Sequence, residues 1–154
     1  MIALVPMTES DYQGFLAKLI PDFASDKVQA GNWTEAESLE RSSQEMAKLL
    51  PQGIHTPGQF VTKLVNESGE VVGDLWYARQ ENRPTEAFIF DFEILTPFRR
   101  RGYASQALDA LVTLAKTQGF DRLALHVFGS NTAARELYKK SGFNETNVQM
   151  AKEI

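Results

Sequence analysis

Two groupings in this 154-residue chain have the residue types and spacing to do chemistry. Arg99, Arg100 and Arg101 stand directly before Gly102, and the helix formers Tyr103, Ala104, Ser105 and Gln106 follow. Arginine keeps its charge across the working pH range. Gly102 lets the backbone approach a ligand with no Cβ in the way, and a helix N-terminus offers unpaired N–H groups and a partial positive charge. Together these features suit a polyanion, most simply a diphosphate. The second grouping is Asp91 and Glu93, two residues apart in the strand-like run "EAFIFDFEIL". A strand turns alternate side chains to the same side, so the two carboxylates share a face and can accept a proton or hold a cation.

The phosphate-type turn fits neither common nucleotide fingerprint. A Walker loop needs a second glycine followed by Lys-Ser/Thr, and the dinucleotide motif needs three glycines after a first strand. The net charge of −4 argues against a general nucleic-acid binder. Charge is nevertheless uneven: residues 1–60 hold eight Asp/Glu and four Lys/Arg, while residues 99–140 hold eight Lys/Arg and three Asp/Glu. The chain has no cysteine, which removes a catalytic thiol, disulfides and thiolate metal sites. His55 and His126 lack partners at metal-ligand spacing, so no metal is expected. The N-terminus lacks a signal-like pattern and no apolar run approaches a membrane span, so a cytoplasmic protein with no membrane association is expected.

The elements that must position these residues can be read from periodicity. "IALVPM" is a short strand. Thr8 and Asp11 form a capping pattern ahead of an apolar face of Tyr12, Phe15, Leu16, Leu19, Ile20 and Phe23. Thr34 and Glu37 repeat the pattern ahead of Leu39, Ser43, Met46 and Leu50. "QFVTKLVN" and "VVGDLWYARQ" read as a hairpin, in which one of Trp76 and Tyr77 must point inward. In the strand that follows, Phe88, Phe90, Phe92 and Ile94 are expected on one face and Ala87, Ile89, Asp91 and Glu93 on the other. A helix from about Tyr103 to Gln118, the strand "DRLALHVF", the short helix "NTAARELYKKSG" and a final strand "FNETNVQMAKEI" complete the order β-α-α-β-β-β-α-β-α-β. The prediction is a mixed α/β (α+β) fold in a single domain spanning residues 1–154. The crossover between two parallel strands places the arginine turn at the C-terminal end of a strand, where ligands of open α/β sheets bind.

At this point the residues resemble a known family. "RRRGYA" (Arg99–Ala104) is similar to the acyl-CoA signature Arg/Gln-x-x-Gly-x-Gly/Ala of the GNAT superfamily of N-acetyltransferases. "NTAARELYKKSGF" (Asn131–Phe143) resembles its second motif, and the element order matches that fold over essentially the whole chain. The wording "DFxxxxPxRxxGYA" looks closest to small single-domain bacterial members. The resemblance implies acetyl-CoA as co-substrate. It puts the pyrophosphate on the backbone N–H groups around Arg99, Arg100, Arg101, Gly102, Tyr103, Ala104 and Ser105, with the arginine side chains near the phosphates. It also implies that the strand end at Ile94–Leu95 pairs with the pantetheine amides in a gap between splayed parallel strands. Asn131 would hydrogen-bond the pantetheine arm, and Tyr138 would stand near the thioester sulfur as the acid.

Acetyl transfer to an amine needs a neutral amine, a stabilised oxyanion and a proton for the departing thiolate. Without cysteine, direct attack is expected rather than an enzyme-bound thioester. Asp91 or Glu93 would take the amine proton, and the net acidity of residues 8–57 predicts a cationic acceptor: a small amine, a polyamine or a peptide amine. Two other readings share these residues, a non-catalytic acyl-CoA-binding or sensing domain and a nucleotide-phosphate binder. The final strand offers a potential edge for a homodimer.

Overall fold

The computed structural model describes residues 1–154. Five strands, β1 (Ala3–Pro6), β2 (Gln59–Val65), β3 (Val71–Arg79), β4 (Glu86–Ile94) and β5 (Arg122–Leu125), form one sheet in chain order. β1 to β4 are antiparallel neighbours and β5 runs parallel to β4. A parallel pair needs a crossover, here supplied by α3 (Tyr103–Thr117). Two helices, α1 (Glu9–Gln29) and α2 (Glu35–Leu49), precede β2, and α4 (Thr132–Lys140) follows β5. No helix is long and apolar enough to cross a membrane.

Both faces of the sheet are covered. Leu64, Leu75, Tyr77 and Ile89 pack in one core with Ala107, Leu108 and Leu111 of α3. Val61 and Trp76 pack in a second core with Phe15 and Leu19 of α1 and Met46 of α2. Trp76 and Tyr77 are therefore both buried, each on its own face. Their polar tips are satisfied, Trp76 Nε1 donating to Gln59 Oε1 at 2.7 Å and Tyr77 Oη to Gln118 Oε1 at 2.8 Å.

α1 begins at the expected capping box: Thr8 N–H donates to Asp11 Oδ2 at 2.9 Å and Asp11 N–H to Thr8 Oγ1 at 3.1 Å. Asp11 also holds Lys63 Nζ of β2 at 2.8 Å. The Lys63 bond first, then the Thr8 bonds, hold its pKa at about 2, below the usual 3.8. A depressed carboxylate pKa stabilises the fold above the unfolded value and loses that contribution as pH falls through the folded one. Asp11→Ala is expected to cost about 1 kcal/mol and lower Tm by ~2–4 °C. Thermal melts of the two proteins should converge as the pH is taken from about 4 towards about 2, the window that this shift defines.

Three expectations need correction. The buried side of α2 is Ser38, Ser42 and Met46, while Leu39 is exposed. Ser42 Oγ donates to the Ile20 carbonyl of α1 at 2.7 Å, so small hydroxyl residues, not leucines, make the close approach of the two helices. The face of β4 changes partway along. Trp76 pairs with Asp91 but Tyr77 with Ile89, so Phe90 is an extra, bulged residue. As a result Phe90 stacks on Trp76 at 4.7 Å, on the same side as Asp91 and Glu93, while Phe92 and Ile94 join the α3 side with Ile89. Lastly, the expected final strand does not form: residues 143–154 carry no regular structure, and Val148, Met150 and Ile154 are exposed. Most of the other residues in that segment are polar, and the sheet ends at β5.

Candidate active site

The turn between β4 and α3 begins with a short 3₁₀ segment, Thr96–Phe98, with Pro97 in it. Phe98 N–H donates to the Leu95 carbonyl and Arg99 N–H to that of Thr96. From Arg100 onward the pairing stops. The N–H groups of Arg100, Arg101, Gly102, Tyr103, Ala104 and Ser105 have no acceptor in the protein, and the ladder resumes with Gln106 N–H on the Gly102 carbonyl at 3.2 Å. Arg100 (φ 64°) and Gly102 (φ 79°) are both left-handed, and Arg100 is the one non-glycine residue with positive φ in the chain. Left-handed residues in such a turn are the geometry of an anion-binding nest, and an uncommon conformation held by an arginine is strain of the kind found at functional sites. Behind the turn, Gln106 Oε1 is buried without a partner.

The three arginines do different things. Arg99 folds back on β4, its Nε donating to the Ile94 carbonyl at 2.8 Å and its Nη2 lying 3.4 Å from Glu93 Oε1. It is committed to the strand end and not to the cradle. Arg101 lies over the Phe98 ring at 5.7 Å, and Arg100 forms no hydrogen bond or ion pair.

β4 and β5 pair only from Glu86↔Arg122 to Ile89↔Leu125. Beyond that point β4 continues for five residues with no strand beside it on that side, and only Arg99 Nε reaches across, to the Ile94 carbonyl. Leu95 N–H donates to the Val72 carbonyl at 2.8 Å, so by antiparallel alternation the N–H and C=O of Phe92 and Ile94 point away from β3, into the opening. The sequence reading paired Ile94 with Leu95. Leu95 instead faces β3, and Phe92 takes its place.

On the α1 side of the sheet a small cavity is lined by Lys18 and Asp22 of α1, Asp74 of β3, and Asp91 and Glu93 of β4, with Phe15 beneath. The register sets Asp74 opposite Glu93 and Asp91 one pair further along the same face. Asp74 Oδ1 is buried with no partner of its own. Burial is the first cause pushing the Asp91 carboxyl well above its usual range, and a shared hydrogen bond with Asp74 and the charges of Asp74 and Glu93 add to it. Burial likewise raises Asp74. The two carboxyls titrate as a coupled pair, each held above the usual carboxylate range. Lys18 Nζ sits 2.5 Å from Glu93 Oε2. Burial opposes its charge, but the hydrogen bond and charge of Glu93 outweigh that and raise its pKa.

Tyr138 on α4 packs edge-on to Phe143 at 5.5 Å and against the α3-side core. Burial first, and the charge of Asp91 second, push its phenol up to about 12. The charge of Asp91 thus reaches the phenol across the sheet, the two residues belonging to opposite layers. Asn131 caps α4, its Oδ1 accepting from Ala134 N–H at 3.2 Å, and its amide NH₂ is free to donate to a ligand. Sequence reasoning missed Asp74, Lys18 and Gln106.

Residues 25–143 match the model of the acetyltransferase (GNAT) family. The chain is 40% identical over 154 residues to the uncharacterized N-acetyltransferase YycN of Bacillus subtilis, covering 99% of each chain. It is 37% identical over 152 residues to the uncharacterized N-acetyltransferase YdgE of the same organism, covering 98% of this chain and 97% of that one. The crystal structure of YycN superposes with a TM-score of 0.94 at 39% identity, over 100% of this chain and 99% of that one. A nest of unpaired N–H groups beside an unzipped parallel strand pair, on a chain so matched from end to end, has one assignment: the protein belongs to the GNAT family and is an acetyltransferase.

Proposed function

We propose that the protein moves the acetyl group of acetyl-CoA to a cationic primary amine by direct attack. The observation that carries this reading is the run of six consecutive unpaired backbone N–H groups from Arg100 to Ser105 at the mouth of the β4/β5 opening. Acetyl-CoA, when bound, supplies an acetyl thioester together with a diphosphate for these groups. Arg100 and Arg101 supply the free positive charge, the edges of Phe92 and Ile94 the strand-like pairing, and Asn131 a donor. No cysteine is present to carry the acetyl group, which favours direct attack.

The acidic cavity suits the acceptor. An ammonium of the chain itself, Lys18, already sits against Glu93, and Asp22 and Asp74 line the same cavity. A substrate amine entering there arrives protonated and must lose a proton before it can attack. The Asp91 carboxylate takes that proton, and burial together with its neighbour Asp74 makes it a stronger base than an ordinary carboxylate. The phenol of Tyr138 stays protonated throughout this range and donates towards the departing sulfur. The two events support each other. When Asp91 is neutralised, the negative charge that contributes to the high Tyr138 pKa disappears, and the phenol becomes a better acid.

The test is steady-state turnover of acetyl-CoA with amine acceptors, wild type against Tyr138→Phe, alongside calorimetric binding of acetyl-CoA. The expected result is a fall in kcat of about 10²-fold with binding nearly unchanged. Full turnover in the variant removes the donor role. A wild-type protein that binds acetyl-CoA and acetylates no amine overturns the reading.

A further inference from the structure

The sheet face that carries the acidic cavity continues beyond it. Back along β4 from Asp91, the next side chains on that face are the rings of Phe90 and Phe88. Resting on the amine-acetylating reading above, we infer that Phe90 determines acceptor specificity: it holds an apolar or aromatic carbon skeleton whose amine reaches Asp91.

Phe90 is the most exposed aromatic residue of the chain, at 37%. Strict alternation from Asp91 would turn it towards α3, and the bulge brings it to the side of Asp91 instead. Bulges beside active sites commonly re-aim a side chain in this way. The ring stacks on Trp76 at 4.7 Å with 21° between the planes, and Phe88 meets it at 5.0 Å and 64°. Trp76 is itself immobile, 1% exposed, tied to Gln59 and met edge-on by Phe15 at 6.5 Å. Phe90 is thus an aromatic surface held in place by packing, which a ligand can cover at little cost in side-chain ordering.

The elements of the chain leave this surface open. α1 and α2 pack with Val61 of β2 and Trp76 of β3, and neither Phe88 nor Phe90 belongs to that core. The β5 residue paired with Phe88 is Ala124, whose methyl is too small to cover the rings. The surface adjoins the acidic cavity: Asp91 and Phe15 line the cavity, Asp91 pairs with Trp76 across the strands, and Phe90 lies on Trp76. An ammonium seated among Asp74, Asp91 and Glu93 therefore has carboxylates on one side and hydrocarbon on the other. An amine on an apolar skeleton satisfies both, and the rings add a cation–π attraction. A second cation directed along β4 finds no free partner, because the next carboxylate on that strand is Glu86, already paired with Arg83 at 3.3 Å and Arg122 at 2.9 Å. A polar, uncharged skeleton gives up hydration over the rings and receives no hydrogen bond from them in return.

Steady-state kcat/KM with acetyl-CoA and three amines tests this: hexylamine, 3-phenylpropylamine and 2-(2-aminoethoxy)ethanol. Each carries a single ammonium, and the last matches hexylamine in length with oxygens in place of two carbons. In the wild type the two apolar amines are expected to lead by about tenfold. Phe90→Ala removes the ring, and Phe90→Gln keeps a side chain of some length over Trp76 without an apolar face. Both are expected to reduce the lead to about twofold, mainly through KM, while Phe90→Tyr keeps it. A wild type that acetylates 2-(2-aminoethoxy)ethanol as well as the apolar amines overturns the proposal and leaves the amine-acetylating reading standing. A lead that persists in both Phe90→Ala and Phe90→Gln does the same. A wild type that turns over none of the three amines overturns both.

Discussion

Asp91→Asn is expected to lower kcat/KM by about 10²–10³-fold at neutral pH, the loss typical of a removed general base. The amide keeps the shape of the carboxyl at a buried position but cannot take up the amine's proton. The companion substitutions shift the pH dependence in opposite directions. The Asp91 carboxyl is raised first by burial, then by Asp74, and is lowered by Lys18. The base must be deprotonated to work, so activity climbs with pH through this raised value. Removing the negative neighbour in Asp74→Asn lets Asp91 ionise more easily, and the acid limb of the kcat/KM profile should move to lower pH. Removing the positive neighbour in Lys18→Met makes ionisation harder, and the same limb should move to higher pH. Profiles that fail to separate in these directions contradict a base coupled to both groups. An Asp91→Asn variant with undiminished turnover contradicts the assignment of the base itself.

Gly73→Ala is expected to be the most damaging small substitution for stability. A Cβ on Gly73 would lie 2.1 Å from the Glu93 carbonyl oxygen and 3.1 Å from the Ile94 Cα, both backbone atoms of the paired strand. Neither can rotate aside, so β3 and β4 must separate where they present Asp74 and Glu93. Overpacking of this kind costs about 3 kcal/mol, which at ~2–4 °C per kcal/mol lowers Tm by roughly 10 °C. The same separation disturbs the carboxylate pair, so activity below the melting range should fall as well. At Gly69, where an added Cβ would meet nothing within 4 Å, alanine strains a left-handed turn (φ 81°) without parting the strands. Its variant should therefore lose stability and keep activity. A Gly73→Ala protein that melts with the wild type would contradict the close approach of the two strands.

The cradle was legible in the sequence because its parts are contiguous: Arg100 to Ser105 are neighbours in the chain, and the helix start that follows has a strong periodic signal. Arg99 read as part of it, and the structure turns it back onto β4 instead. The second grouping was legible only in part. Asp91 and Glu93 do share a face, but the bulge at Phe90 that turns them towards α1 depends on how many residues of β4 oppose β3. No spacing within β4 records that count. Asp74 was hidden for the same reason, since its place beside Asp91 is set by hairpin register. Lys18 reaches Glu93 from a helix roughly seventy-five residues earlier, a contact created entirely by tertiary packing. The buried serines of α2 escaped because periodicity was read from apolar residues, whereas two helices can also approach through small hydroxyls bonded to a carbonyl. The final segment alternates apolar residues only at Val148 and Met150, with Lys152 next on that face, and it forms no strand.

The central claim is that the acidic cavity delivers a cationic amine to an acetyl thioester held at the arginine turn. It is tested most directly by initial rates of CoA release with a matched panel of cationic, neutral and anionic primary amines, repeated on Glu93→Gln. The prediction is that the cationic acceptors lead by the largest kcat/KM in the wild type, and that Glu93→Gln narrows this lead mainly through KM. Equal or higher rates with the anionic acceptors, or a preference that Glu93→Gln leaves intact, would contradict it.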